Sequence, residues 1–263
     1  MKTLLALFIL SNAFALTAQE TEFILAAGTQ RTLTSAERTL SLKKFSLGDN
    51  AIIYIPAHMD GWTVTATEVS IGKGVRIIGV PTAVNSGVMD TRPVGSVPNC
   101  LNGNTGFPGT NGQPGWPGKN VSLDLKIRSI GTLTIEVNGG KGGNGGAGSS
   151  GGRGGSSTCT CNAGTGGKGG NGGNGGNGGD GGNVTIVYSK TGNVTISNSN
   201  FFIRNTGGSK GFGGSSGIGG QGGAGGGCSD PKGLARPAGV YGQPGARGND
   251  GLPGKNGITT IKG

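Results

Sequence analysis

Residues 166–182 read GGKGGNGGNGGNGGDGG, and their period governs how the rest of the chain is read. Glycine takes two places in every three; Lys168, Asn171, Asn174, Asn177 and Asp180 take the third. A period of three fits neither an α-helix nor a strand, whose periods are about 3.6 and 2. It fits threefold polyproline II geometry, in which each sequence place becomes one longitudinal face. The same phase recurs in four other blocks. Glycine falls on every third residue from Gly103 to Gly118, Gly139 to Gly154, Gly208 to Gly226 and Gly239 to Gly257. A flexible linker has no reason to hold phase, so the period predicts ordered rods.

Composition points the same way. The chain has 263 residues, of which 62 are glycine, and only 32% are hydrophobic and 5% aromatic. A large oily core is therefore denied to most of it. Ordering glycine costs more entropy than ordering any other residue. Backbone hydrogen bonds contribute about 1 kcal/mol each, so very many must form together.

Outside the glycine blocks the pattern changes. Ala51–Ile55, Trp62–Ala66, Val69–Ile71 and Val75–Ile78 are short β-type runs broken by Gly48-Asp49-Asn50, Gly61 and Gly72-Lys73-Gly74. Val121, Leu123, Leu125 and Ile127 alternate with polar residues, as do Leu133, Ile135 and Val137. Val184–Ile186, Val194–Ile196, Phe201–Ile203 and Ile258–Ile261 read as further strands. The predicted fold is mostly non-α. A solenoid- or sandwich-like β region spans 19–80 and an extended connector 81–102. A bundle of five polyglycine/polyproline II rods fills 103–257, with β segments at 121–137 and 184–204 gathered at one end, and a closing strand lies at 258–263. If successive rods run up and down, all β segments meet in one layer at the base and all cysteines meet at the opposite tip.

Residues 1–18 carry Lys2, an apolar run from Leu4 to Leu10 and small residues around Ala15 and Ala18, the layout of a secretory signal. The protein is expected to be secreted or held at the cell surface. In an oxidising compartment Cys100, Cys159, Cys161 and Cys228 read as two disulfides. A bridge between Cys159 and Cys161 is sterically poor. Cys100 and Cys228 should therefore each take one of that pair.

Lys and Arg number 22 against 12 Asp and Glu, a net charge of +10. That balance suits acidic surface partners, and equally suits solubility alone. No basic block interleaved with aromatics supports specific nucleic-acid binding. His58, the only histidine, sits in a turn beside Asp60. Paired carboxylates, a nucleophile with a base and a metal cluster are all missing from the sequence pattern, so neither an enzyme nor a cofactor is implied.

Gly-Gly-X blocks separated by loops resemble two groups of polyglycine II bundle proteins: the tip adhesins of long phage tail fibres and the snow flea antifreeze proteins. Runs such as Gly242-Gln243-Pro244-Gly245-Ala246-Arg247-Gly248 also look collagen-like. The adhesin resemblance implies loops that bind a bacterial receptor. Here those loops are Ser156–Asn162 and Ser229–Arg236, with Thr158, Thr160, Asn162, Asp230, Lys232 and Arg236 as candidate ligand-binding residues. The expected function is an exported adhesin recognising cell-surface glycan, lipopolysaccharide or an outer-membrane receptor. A self-associating matrix or fibre component is a second reading. Ice binding through Asn171, Asn174 and Asn177 is a third.

Overall fold

The computed structural model describes residues 21–80, 84–227 and 235–263. The leader read at 1–18, and Cys228, Asp230 and Lys232, lie outside them. Eleven strands form: β1 Glu22–Leu25, β2 Gln30–Thr32, β3 Thr39–Leu47, β4 Ile52–Ile55, β5 Gly61–Ile71, β6 Val75–Gly79, β7 Asn120–Ile130, β8 Leu133–Glu136, β9 Val184–Lys190, β10 Phe201–Arg204 and β11 Thr259–Lys262. The odd strands make a six-stranded sheet, β1-β3-β5-β7-β9-β11, and the even strands a five-stranded one, β10-β8-β6-β4-β2. Every pairing between them is parallel. Each circuit of the chain thus adds one strand to each sheet.

Alternation explains why the two sheets hold together. Leu40, Val64, Leu123, Ile186 and Ile261 stand in one row of the first sheet. Ile53, Ile77, Ile135 and Ile203 stand in one row of the second. The inward residues of both form one apolar cluster, and its centre is fully buried. Burying one such side chain contributes roughly 1.5–3 kcal/mol. Phe23, Phe45 and Trp62 fill one end with ring centroids 5.6 to 6.2 Å apart. Stacked turns close one corner: Gly48, Gly72 and Gly131 donate to the carbonyls of Leu25, Leu47 and Ile71, each one circuit below. A Cβ at Gly72 would strike the Asp49 and Gly48 backbone, which is why glycine recurs there.

This corrects the expected architecture. The β structure is neither an N-terminal solenoid- or sandwich-like region nor one basal layer below a bundle of polyglycine II rods. It is two parallel sheets of six and five strands, drawn from residue 22 to residue 262. Among the described residues the only helical turns are two short 3₁₀ segments, Ser35–Arg38 and Asn198–Asn200. The physical reason is register. The alternating segments after each glycine block carry the same inward pattern as the N-terminal strands, so they extend those sheets. Val194–Ile196, expected as a strand, is not one; Ile196 is buried and Val194 packs on the same cluster without pairing.

The glycine segments take neither helical nor strand structure, yet they leave few backbone groups idle. They leave the sheets in three excursions, between β6 and β7, β8 and β9, and β10 and β11. Within an excursion the outgoing and returning stretches run antiparallel. Gly167, Gly173 and Gly176 donate to Gly152, Gly146 and Gly143, the partner number falling as the donor number rises. Returning stretches lie side by side: Gly106, Gly109 and Gly112 donate to Lys168, Asn171 and Asn174, and Gly166, Gly169 and Gly172 to Val240, Gln243 and Ala246. Outgoing stretches do likewise, with Gly142 and Gly145 donating to Ser209 and Phe212. The connector joins in, since Gly87 donates to Asn144 and Thr110 donates to Val88. Each layer is continuous with one sheet. The bond from Gly118 to Asp180 is followed by one from Val121 to Asn183, so the ladder passes from one bond per three residues into β pairing without a gap.

In the triplets of 139–155 and 166–182 the first N–H thus bonds along the layer and the second across to the other layer. On the outward side some N–H groups have side-chain partners, among them those of Asn174 and Phe212, which donate to Asn111 and Asn144. Asn171, Asn174, Asn177 and Asp180 accept through Oδ1 from the backbone N–H groups of Ala246, Asn249, Leu252 and Lys255, at 2.7 to 2.9 Å. Asn102 and Asn111 serve Thr165 and Asn174 in the same way. The asparagines read as water-ordering groups therefore spend their amide oxygens on the neighbouring stretch. Asn174→Ala is expected to lower stability by about 1 kcal/mol, the net worth of one such bond. Asn174→Asp keeps the acceptor and should leave the urea midpoint close to that of the natural chain at neutral pH; equal midpoints for both variants would reject this role.

Candidate functional site

Cys100, Cys159 and Cys161 stand where the first two excursions turn. Cys100 is bonded to Cys161, with Cα atoms 6.0 Å apart. The Cys100 N–H donates to Ser156 O and the Leu101 carbonyl accepts from Gly155 N–H, so the first turn is sewn to the second. Cys159 is also disulfide-bonded. Of the predicted ligand-binding residues, four meet here. Arg236 Nη1 donates to Asn162 Oδ1 at 3.3 Å and Nη2 to the Cys159 carbonyl at 3.0 Å. Thr158 Oγ1 lies 3.1 Å from Thr160 Oγ1 and 3.1 Å from Cys161 Sγ. Arg236 also pairs through its backbone with Gly226, which ties the third turn to this end. Thr158 is spent inside the turn, whereas Thr160 and Asn162 are exposed.

A second region was missed by sequence reasoning. Three hollows of about 290, 340 and 370 Å³ adjoin where the glycine segments meet the first sheet. The first crosses the starts of β5, β7 and β9 beside Arg38 and Asp60. The second lies between Asp60, Trp116 and Lys119, and the third along Gln113–Pro117. Neighbouring hollows share walls. Asp60 and Asn120 line the first two; Trp116 and Pro117 line the last two. Trp116 is 52% exposed, whereas Trp62, the other tryptophan, is 1% exposed. Lys119 is only 6% exposed and donates through Nζ to the Ala57 carbonyl at 2.7 Å. Burial pulls its ammonium below the usual lysine range, while the Asp60 carboxylate pushes the other way. Arg38 Nη1 lies 3.5 Å from Asp60 Oδ2. The only signal in the sequence was Trp116 itself, a bulky aromatic in a glycine block.

Among the described residues no group of three or more His, Cys, Asp or Glu is placed to hold a metal ion. No helix among them is long and apolar enough to cross a membrane. No family model matches the chain, and no curated protein matches it. Among solved structures it is similar to a springtail antifreeze protein from Granisotoma rainieri, described as a bundle of nine polyproline type II helices whose crystal waters match the ice lattice. The identity is 23%, the TM-score 0.12, and the match covers 64% of this chain and 97% of that one. So low a score carries no argument about fold or function. These comparisons give no support to the phage-adhesin or collagen-like resemblance.

Proposed function

We propose that the protein is an exported surface-binding protein whose disulfide-braced tip recognises an acidic cell-envelope glycan such as lipopolysaccharide. The observation that carries this reading is the Cys100–Cys161 bond. It clamps two excursions at the end away from the sheets, where Thr160, Asn162 and Arg236 come together. Recognition residues are commonly set on loops held by a rigid scaffold. The exposed amide and hydroxyl suit sugar hydroxyls, Arg236 holds Asn162 and the Cys159 carbonyl in place, and a net charge of +10 draws the chain towards acidic surfaces.

The test is retention of the full chain on lipopolysaccharide-bearing envelope fragments. A Thr160→Ala/Asn162→Ala/Arg236→Ala variant is expected to bind at least about tenfold more weakly, the equivalent of roughly 1.4 kcal/mol. Equal retention would remove the tip from the mechanism. Ordered filaments or sheets formed regardless of these changes would favour a matrix role instead.

A further inference from the structure

We propose that the trough at the junction of the first sheet and the glycine segments is a second binding site, one that takes a neutral polysaccharide chain. It is separate from the tip and does not rest on the tip reading. Its shape is the first reason. Three hollows sharing walls make an open, elongated channel, not the enclosed pocket that suits a compact ligand.

Its chemistry is the second reason. Trp116 presents an indole that half faces solvent, on a stretch held by its neighbours, since the Trp116 carbonyl accepts from Gly140 N–H. An apolar plate of this kind covers the C–H face of a pyranose, and with two χ angles it has little side-chain freedom to lose. Beside it the exposed Asp60 carboxylate, 89% accessible, can accept from sugar hydroxyls. Beyond that, Thr63, Ser122 and Thr185 stand in one row across β5, β7 and β9, on the face away from the core. Hydroxyls both donate and accept, as a sugar chain requires.

Other occupants fit less well. A peptide added as a strand needs an unpaired edge, but β5 lies between β3 and β7, and β7 between β5 and β9. A proline-rich peptide needs a groove between aromatic walls, and Trp116 is the one aromatic exposed in this trough. An acidic chain needs uncommitted cations. Arg38 is paired with Asp60, and Lys119 is buried against the Ala57 carbonyl.

The experiment is a titration of the full chain with neutral hexasaccharides of glucose, mannose and xylose, with polygalacturonate as an acidic control. Because Trp62 is buried, iodide quenching reports Trp116 alone. A neutral hexasaccharide is expected to shield Trp116 from iodide saturably. Trp116→Ala and Asp60→Asn should each weaken binding about tenfold or more by calorimetry, with melting temperatures unchanged. The Thr160→Ala/Asn162→Ala/Arg236→Ala variant should bind as the natural chain does, which separates failure here from failure at the tip. The proposal is overturned if none of the neutral sugars binds, if only polygalacturonate binds and salt abolishes it, or if the two trough variants bind normally.

Discussion

Gly170→Ala is expected to lower the melting temperature by roughly 6–12 °C, from a loss of about 3 kcal/mol in a domain of this size. Gly170 donates to Ser149 O, and its carbonyl accepts from Gly217, so it is bonded across to stretches on two sides. An added Cβ would lie inside contact distance of the Phe107 carbonyl and close to the Gly106 backbone. Both are main-chain atoms held by their own bonds, and neither can rotate away as a flexible side chain would. Two other glycines make a graded series. At Gly140 the nearest atoms to a new Cβ are Trp116 N and O at 3.2 Å, a tight fit that a small shift relieves. At Gly227 nothing among the described residues lies within 4 Å. Gly140→Ala should therefore fall between a severe Gly170→Ala and a neutral Gly227→Ala. Coincident melting curves for all three would mean that the glycine segments are not packed main chain against main chain.

That series also shows which parts of the fold could be read in advance. The phase of the glycines was plain, because a three-residue bond repeat fixes which place must lack a side chain. Which stretch pairs with which was not, since Gly109 finds Asn171 and Gly166 finds Val240 across more than sixty residues with no local mark. The inward rows were legible where alternation is clean: Val121, Leu123, Leu125 and Ile127 are all buried. They were hidden where a bulge shifts the phase. In β5 both Thr67 and Glu68 face solvent, and the register against β7 slips there, so one long strand read as two short ones. In β3 Lys43 and Lys44 break the pattern in the same way, and their N–H groups share the Thr21 carbonyl. That the later segments extend the first sheets follows only from matched rows such as Val64, Leu123 and Ile186, visible once the strands lie side by side. The trough was illegible for a related reason: Arg38, Asp60, the Trp116–Asn120 stretch and Asn183 come from four circuits of the chain and meet only through that stacking.

The second large effect is expected at the tip. Cys100→Ser/Cys161→Ser should cost about 4 kcal/mol, because the bond closes a loop with a sequence separation of 61 and removes that freedom from the unfolded chain. The loss should also have a location. Cys100 holds φ at 66°, the left-handed region that side chains avoid at a cost of roughly 1–2 kcal/mol. With the bond present, that corner is held by Cys161 and by the Cys100 N–H to Ser156 O contact. Without it the corner can relax, and the first bonds to weaken are the neighbouring ones, Gly155 to Leu101 and Gly103 to Thr165. Their amide hydrogens should exchange faster in the variant, while those of Gly115 and Gly118 near the sheets keep their protection. Binding at the tip should fall with them, since Thr160 and Asn162 flank Cys161, while sugar shielding of Trp116 should persist. Exchange that quickens uniformly from tip to sheets would instead mean that the array opens as one cooperative unit, with the disulfide setting its overall stability and not the local order of the tip.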